Sequence, residues 1–475
     1  MASISSLGIG SGLPLDTLLT SLTTAEKGRL TPISTQQSAY TARLSAYGTL
    51  KSALTSFQTA NTAINTNAIF QSTTATSSAA DAFTATTESG AATGKYSVAV
   101  TQLAQAQSLL SGKVDSTTSN LGTSGAGTRT LTITQPGQEK PLEIKLTDAQ
   151  STLTGIRDAI NNADSSVNAS IIKVDDSNYQ LVVTSAETGE NNAMTLSVSG
   201  DEKLQSFIGY DATSDTNGMT ETVNAQNALL SVNGVDIERD SNTITDAPQG
   251  VTLTLLNKTT DTQTLTIAKD TSKASTAIKA WVDAYNALQD SFSSLTAYTA
   301  VDAGTDEQDS SNGALLGDST LRTIQTQLKS HLTNGSSSST YKTLSQIGIT
   351  SNPTTGKLEL DSDKLSTALS NDSKGVMAMI NGDGKTTGIS TTINNSITSY
   401  LATDGILTSA TNGVNSTLKS LTTQYNKTND SINDAIARYK EQFTQLDVLM
   451  TKLNSTSSYL TSQFSTSTSS SSSSS

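Results

Sequence analysis

An apolar residue recurs every seven positions near the end of the chain, at Leu418, Tyr425, Ile432, Tyr439, Leu446, Leu453 and Leu460. A second series lies four residues after members of the first, at Ile436, Phe443, Met450 and Phe464. Alternating steps of four and three give a mean period of about 3.5 residues, the seam of a left-handed coiled coil. No Gly or Pro interrupts 418–464. A helix of that span is about 70 Å long at ~1.5 Å per residue. That is too long for the interior of a small domain, so its seam needs a partner helix.

The partner is expected at the other end of the chain. Leu15, Leu22, Leu50, Phe57 and Ile64 share one heptad frame, and Leu19, Ile33, Tyr40, Tyr47 and Leu54 share a second, four residues later. Arg29, Gln36 and Arg43 interrupt the first frame and weaken it. Pro32 suits a first helical position with Thr31 as N-cap, so helices are predicted over 14–30 and 32–66 with a break between them. Two terminal heptad segments around a different middle predict a rod whose ends come together. A helical hairpin within one chain, with no polymer role, is the alternative at this point.

The middle is where composition matters. The chain has 475 residues, enough for about three domains, but only 34% are hydrophobic and 4% aromatic. That is lean for a compact enzyme and workable for an elongated protein with thin cores. The formal charge is −13 without a basic cluster. Nucleic-acid binding is therefore not expected, and anionic membrane surfaces are disfavoured. No cysteine is present, which excludes disulfides and thiolate metal sites. The start, MASISSLGIG, lacks a basic region followed by an apolar run, and no apolar run approaches ~18 residues. Membrane insertion is not expected; the chain is cytoplasmic or exported by a route that cleaves nothing.

Past Ile64 the period changes. Strands are predicted at 83–87, 96–101, 131–134, 142–146, 167–174, 179–184, 194–198, 229–232, 235–238, 251–256 and 262–267, with one helix at 152–163. Residues 116–128 and 211–222 read as loops, and Gly234 and Gly250 mark turns. Helices follow from about Thr271, at 317–332, 361–370 and 388–401, with short strands at 344–350 and 357–360. The expected fold class is α+β, elongated and multi-domain: terminal α-helical coiled-coil legs enclosing nested β-rich head domains. The expected division is a leg helix at 1–40 pairing with 440–475, and a helical domain from 41–70 plus 270–439. A β-rich head domain takes 71–115 plus 225–269. An inserted β-rich head domain with one helix takes 116–224, and a disordered serine-rich tail takes 465–475.

Catalytic chemistry finds no support. The glycines at 8, 10 and 12 follow no strand and lack the third fingerprint position, so they read as a flexible lead-in to the first helix. His331 is the sole histidine and sits beside a polar loop at 334–339. The NGDGKTTG loop at 381–388 lacks the alternating ligands and closing Glu of a calcium loop. Its Gly384-Lys385-Thr386 lacks the earlier glycine of a phosphate loop, since residue 379 is Met. Asp302, Asp306, Glu307 and Asp309 read as a solvated charge run. No enzyme activity, cofactor or metal is expected.

Several stretches resemble one known family. SSLGIGSGLPLDTLL at 5–19 resembles the start of bacterial flagellar hook-associated protein 2, the filament-capping family. GKYSVAVTQLAQAQSL at 94–109, SVNGVDIERDSNTITDAPQGVTLTL at 231–255, GALLGDSTLR at 313–322 and YKEQFTQLDVLMTKLNSTSSYLTSQF at 439–464 are similar to it too. GIRDAINNADSSVNASII at 155–172 resembles a module shared by flagellins and hook-associated proteins. The serine tail goes beyond the family pattern. The resemblance implies helical legs, a plate of middle domains, and a ring of copies at the filament tip. Five copies is the expectation, with four or six as alternatives. It also implies export through the flagellar apparatus with an export chaperone, and retention and folding of flagellin at the extracellular tip.

The residues expected to make the coiled-coil and filament contacts are Leu15, Leu19, Leu22, Ile33 and Tyr40 near the start. Near the end they are Tyr439, Phe443, Leu446, Met450, Leu453, Leu460 and Phe464. Two rivals remain: another flagellar axial protein such as flagellin, and a surface adhesin acting through exposed head domains.

Overall fold

The computed structural model describes residues 7–163, 166–301, 304, 309, 311–333 and 339–469. The chain begins with α1 (Leu15–Lys27), a 3-10 turn (Gly28–Leu30), α2 (Thr31–Ile64) and the short α3 (Asn67–Phe70). Strands β1 (Thr73–Ser77), β2 (Phe83–Thr87), β3 (Gly94–Gln102), β4 (Ser108–Ser111), β5 (Arg129–Thr134) and β6 (Leu142–Leu146) precede α4 (Leu153–Asn161). Next come β7 (Val167–Asp175), β8 (Asn178–Ser185), β9 (Thr195–Ser199) and α5 (Glu202–Ile208). The β-rich stretch ends with β10 (Met219–Val223), β11 (Ala228–Val232), β12 (Val235–Arg239), β13 (Thr243–Ile244), β14 (Val251–Leu255) and β15 (Gln263–Lys269). The chain returns to helix in α6 (Ser272–Leu295) and α7 (Ser319–His331), then a small hairpin of β16 (Ile349–Ser351) and β17 (Leu358–Leu360). The last helices are α8 (Ser362–Asn381), α9 (Ile389–Leu401) and α10 (Ile406–Ser469); backbone angles inside α8 leave the helical region at Asp372.

Two compact units result. The helical one draws its described residues from Met1–Asn65, Thr276–Leu365 and Gly375–Ser475, and the β-rich one from Thr66–Ser275 and Ser366–Lys374.

In the helical unit α2 packs on α9 and α10, α1 on α10, and α7 on α9. Leu50, Leu54 and Phe57 of α2 are fully buried, on the face that the heptad frames marked. Phe57 meets the edge of Tyr285 at 5.7 Å between ring centroids and Trp281 at 6.1 Å. Burial pushes the Tyr285 phenol up to about 12. Asn61 occupies a fully buried position. Its Oδ1 accepts from the Trp281 indole N–H at 3.0 Å, and its Nδ2 donates to the Ser390 carbonyl at 2.8 Å. Asp318 caps α7 by accepting from the Leu321 N–H at 2.9 Å, and also accepts from the Tyr47 hydroxyl at 2.6 Å and from Arg43. This explains GALLGDSTLR: a Cβ on Gly313 would sit 2.4 Å from the Leu295 carbonyl oxygen, and Gly317 has φ +75°.

The β-rich unit holds two cores. Sheets ordered β1-β15-β3-β11-β12 and β13-β14-β2 enclose Phe83, Val98, Val100, Leu253 and Leu265. Sheets ordered β10-β4-β8-β7 and β6-β5-β9, with α4 and α5, enclose Leu109, Leu131, Ile156, Leu181 and Leu204. Every pairing is antiparallel, and alternate residues point inward, as along β14. The second core carries a buried charge pair. Arg129 Nε donates to Asp201 Oδ2 at 2.6 Å, and Asp201 also caps α5 through the Leu204 N–H. Burial alone would raise the Asp201 carboxyl, but Arg129 and the N–H groups of Leu204 and Thr123 hold it far below the usual carboxylate range.

Several expectations are corrected. The inserted region has a second helix, α5, and β10 occupies most of what read as the end of a loop at 211–222. β4 pairs with β8 and β10, so the inserted body's sheet recruits residues ahead of position 116. Residues 344–347 are a 3-10 turn and only 349–351 are strand. Thr31 is helical and caps nothing, because the 3-10 turn feeds directly into α2. α10 starts twelve residues before 418 and continues to Ser469, so helix replaces the expected tail over 465–469; residues 470–475 lie outside the described residues.

Candidate functional site: the paired chain ends

The glycine-rich start is a built turn. Gly8 has φ +97°, and its carbonyl accepts from the Gly12 N–H at 2.8 Å. Gly10 lies against α10: a Cβ there would fall 2.3 Å from Thr451 Oγ1. The turn aims Ser11 at Asp447, whose Oδ1 accepts from the Ser11 N–H at 2.9 Å and from its hydroxyl. Asn454 Nδ2 reaches the Ser11 carbonyl at 3.4 Å. The Ser11 hydroxyl and the N–H groups of Ser11 and Gly8 hold the Asp447 carboxyl below its ordinary range, outweighing partial desolvation.

The pairing continues along α1. Leu15 is buried and Leu19 and Leu22 are half-buried. The Tyr439 hydroxyl donates to Glu26 Oε1 at 3.3 Å, and Arg29 pairs with the same carboxylate at 2.9 Å. On α2, Ile33 is buried, Tyr40 is half-buried, and Gln37 donates to Thr422 Oγ1 at 3.3 Å.

From 432 to 450 the covered positions on α10, besides the small Ala435, are Ile432, Ile436, Tyr439, Phe443, Asp447 and Met450. Their steps are four, three, four, four and three, eighteen residues over five steps, or 3.6 per turn. That is the period of a straight helix, which drifts ~20° per heptad against a strict seven-residue repeat. The stripe has therefore moved one residue by the second heptad, and Asp447 stands where the repeat pointed to Leu446. Leu446 is 37% exposed, Leu453 52%, Leu460 49% and Phe464 70%. With Leu449 these four form a second apolar stripe, turned about 90° around the helix from the first at ~100° per residue.

The candidates for chemistry are absorbed by structure. His331 Nε2 is 2.8 Å from Ser396 Oγ, and burial lowers its pKa. The Asp383 carboxylate accepts from the N–H groups of Lys385, Thr386 and Thr387, closing its own loop. Asp302, Asp306 and Glu307 lie outside the described residues, and Asp309 accepts from the Ser311 N–H. Among the described residues no cluster of three metal-ligating side chains occurs, and no helix is long and apolar enough to cross a membrane. The Ser11–Asp447 contact was not legible in sequence, because Asp447 sits one position off the apolar repeat.

The helical unit is closed by both ends of the chain, and the β-rich unit is inserted in the sequence between them. Family models for the hook-associated protein 2 N-terminus and C-terminus match residues 11–107 and 225–455, and the flagellin hook IN motif matches 130–187. The chain belongs to the flagellar hook-associated protein 2 family. It is 62% identical to flagellar hook-associated protein 2 of Escherichia coli over 98% of both chains. The Salmonella typhimurium protein of the same description is 55% identical over 98% of this chain and 99% of its own. A crystal structure comprising three domains of the Escherichia coli flagellar cap protein superposes with a TM-score of 0.71 at 58% identity, covering 78% of this chain and 99% of that one. Neither rival, the other axial protein or the adhesin, is favoured by these relatives.

Proposed function

We infer that this chain is the cap of the bacterial flagellar filament, a structural and non-enzymatic protein exported to the extracellular tip. Membership of the hook-associated protein 2 family supports the role, and the name of the similar crystal structure, a flagellar cap protein, supports the place. The observation that carries the mechanism is the second stripe of α10. One face of the paired ends is covered within the chain, while Leu446, Leu453, Leu460 and Phe464 stay exposed. A helix with two apolar stripes about a quarter-turn apart suits a bundle of three or more helices rather than a simple pair.

We assign that second stripe to contacts at the filament tip, with Leu15, Leu19, Leu22, Ile33, Tyr40, Tyr439, Phe443 and Met450 forming the covered seam that presents it. Copies of the chain form a small ring, five in our reading. The ring keeps arriving flagellin from diffusing away and gives it room to fold into the next lattice position. Delivery is by the flagellar export machinery with an export chaperone. The two β-rich bodies are the head, nested as an outer part from both flanks and an inserted part between them. Contacts that are numerous and individually weak let such a cap step as subunits add.

Deletion of the gene tests the role. Cells without it should release unpolymerised flagellin into the medium and carry short or absent filaments, and the restored gene should reverse both. Full-length filaments without the gene would overturn the reading.

A further inference from the structure

The outer edge of β7 is open, and its geometry defines what it can take. In an antiparallel ladder, residues whose N–H and C=O face the neighbouring strand alternate with residues whose groups face away. The Ser166 carbonyl accepts from the Ala186 N–H, so even-numbered positions of β7 face β8. Ala169 faces the other way: its N–H donates to Asn161 Oδ1 at 2.7 Å, and its carbonyl accepts from Asn161 Nδ2 at 2.8 Å. The Asn161 amide thus stands in for one rung of a further strand. Ile171 and Lys173 share the parity of Ala169, and β7 is the end strand of its sheet. Among the described residues neither has a backbone hydrogen bond outside the β7–β8 ladder.

The open stretch is short and bounded. Asn161 closes it at Ala169, and an irregularity between Lys173 and Asp175 ends the regular ladder. Between the two open rungs Ile172 is 49% exposed, and Val174 beside it is 40% exposed. Proteins protect such edges with charges, bulges or very short strands. β12, the end strand of the five-stranded sheet, exposes Asp236 and Glu238, and β10 carries a bulge between Glu221 and Val223. The segment Ile171–Val174 has one charge, Lys173, and its ammonium is 3.3 Å from Asp176.

We propose that this edge pairs with the same edge of a second copy, antiparallel and centred on Ile172. In that register Ile171 meets Lys173 of the second copy and Lys173 meets Ile171. Both open rungs of both copies close, and Ile172 lies opposite itself as a narrow pair about 4.5 Å apart at Cα. A slide one way runs into the Asn161 plug, and a slide the other way runs into the irregularity at Asp175. The open segment is therefore self-complementary in one register, the requirement for a two-fold contact. A two-fold contact does not close a ring of five, so it joins a chain in one assembly to a chain in another. The proposal does not depend on the filament-tip role and is tested on the purified chain alone.

The chain has no cysteine, which makes a single introduced thiol a clean reporter. Narrow antiparallel pairs fall within disulfide reach. Mild oxidation of the full-length Ile172→Cys variant should give a covalent dimer. Ser170→Cys, on the same face but opposite Val174 rather than itself, should give none. Lys173→Pro, added to Ile172→Cys, removes an outward N–H without touching the ladder to β8, and the covalent dimer should be lost. Ile172→Lys, which sets two ammonium groups against each other, should abolish the doubling of mass in sedimentation while circular dichroism stays unchanged. Absence of dimer with Ile172→Cys, equal cross-linking at 170 and 172, or cross-linking that survives Lys173→Pro would each overturn the proposal.

Discussion

Ser11 and Asp447, 436 positions apart in the chain, share two hydrogen bonds, from the Ser11 N–H and hydroxyl to one carboxylate oxygen. The contact fixes where the N-terminal turn sits along α10, and so which residues of that helix are covered and which face outward. Apolar contacts alone set register loosely on a helix with two apolar stripes; a directional bond to one side chain sets it more narrowly.

The contact should depend on pH with a definite sign. The Asp447 carboxyl lies below its ordinary range in the folded chain, held by Ser11 and the Gly8 N–H. A depressed carboxylate stabilises above its unfolded pKa of ~3.9 and loses that stabilisation as pH falls through the folded value. Hydrogen exchange over 8–27 should therefore be flat from neutrality to about pH 5 and accelerate in stronger acid. Asp447→Asn should show the fast exchange at every pH. Equal protection in the variant and the parent at neutral pH would show that the bond does not hold the turn.

The buried Asn61 joins three helices, and its loss has a legible cost. Asn61→Ala leaves the Trp281 indole N–H and the Ser390 carbonyl without their partner in a buried site. Each unsatisfied buried group costs about 1–3 kcal/mol. Trp281 is the one tryptophan, so its fluorescence reports this unit alone. The variant's denaturant midpoint by tryptophan fluorescence should drop, while Asn61→Asp should fall further by burying a charge. An unchanged midpoint in Asn61→Ala would show that water replaces the amide.

In the β-rich unit the vulnerable group is Asp201. Arg129 and Asp201 have fully buried side chains, and Arg129 also pairs with the half-exposed Asp148 at 2.7 Å. Removing one member of a buried pair leaves a buried charge and costs about 3–5 kcal/mol. Asp201→Ala should make residues 108–223 sensitive to protease at neutral pH, with the Trp281 signal unchanged. Replacing both, as Arg129→Met with Asp201→Leu, should recover part of the loss. Equal protease resistance in Asp201→Ala and the parent would show that Asp148 suffices for Arg129.

Element type was legible wherever one period ran long enough. The helices of both ends and the alternation of β7, β8 and β14 were read correctly because their buried faces repeat regularly. α5 was missed because seven residues hold too few turns for a period, although Asp201 three residues before Leu204 is a cap signal. β10 was missed because Met219–Val223 offers one buried residue, Met219, and polar neighbours. The apolar series of α10 was legible as a periodic pattern, but not which of its members stay exposed. That division follows from a straight helix drifting past a seven-residue repeat, and from Ser11 choosing Asp447.

The same division separates two classes of substitution on α10. Phe443 and Met450 are half-buried against the chain's own start, whereas Leu446 and Leu453 are exposed. Burying a side chain of this kind is worth about 1.5–3 kcal/mol. For Phe443 most of that gain is made within the chain; Leu453, 52% exposed, and in smaller part Leu446, 37% exposed, complete theirs only when a further helix arrives. Leu446→Asp with Leu453→Asp should therefore leave the purified chain's helix content and hydrogen-exchange protection unchanged. At the filament tip each change forfeits that gain and adds a carboxylate to an apolar contact. Cells carrying the double variant should swim poorly and release flagellin. Phe443→Asp should act earlier, raising exchange over 8–27 in the purified chain. Ser455→Asp lies off both stripes and should match the parent in every assay. Normal swimming in the double variant would show that the second stripe does not hold the protein to the tip, and a loss of protection in its purified chain would show that the stripe is already covered within one molecule.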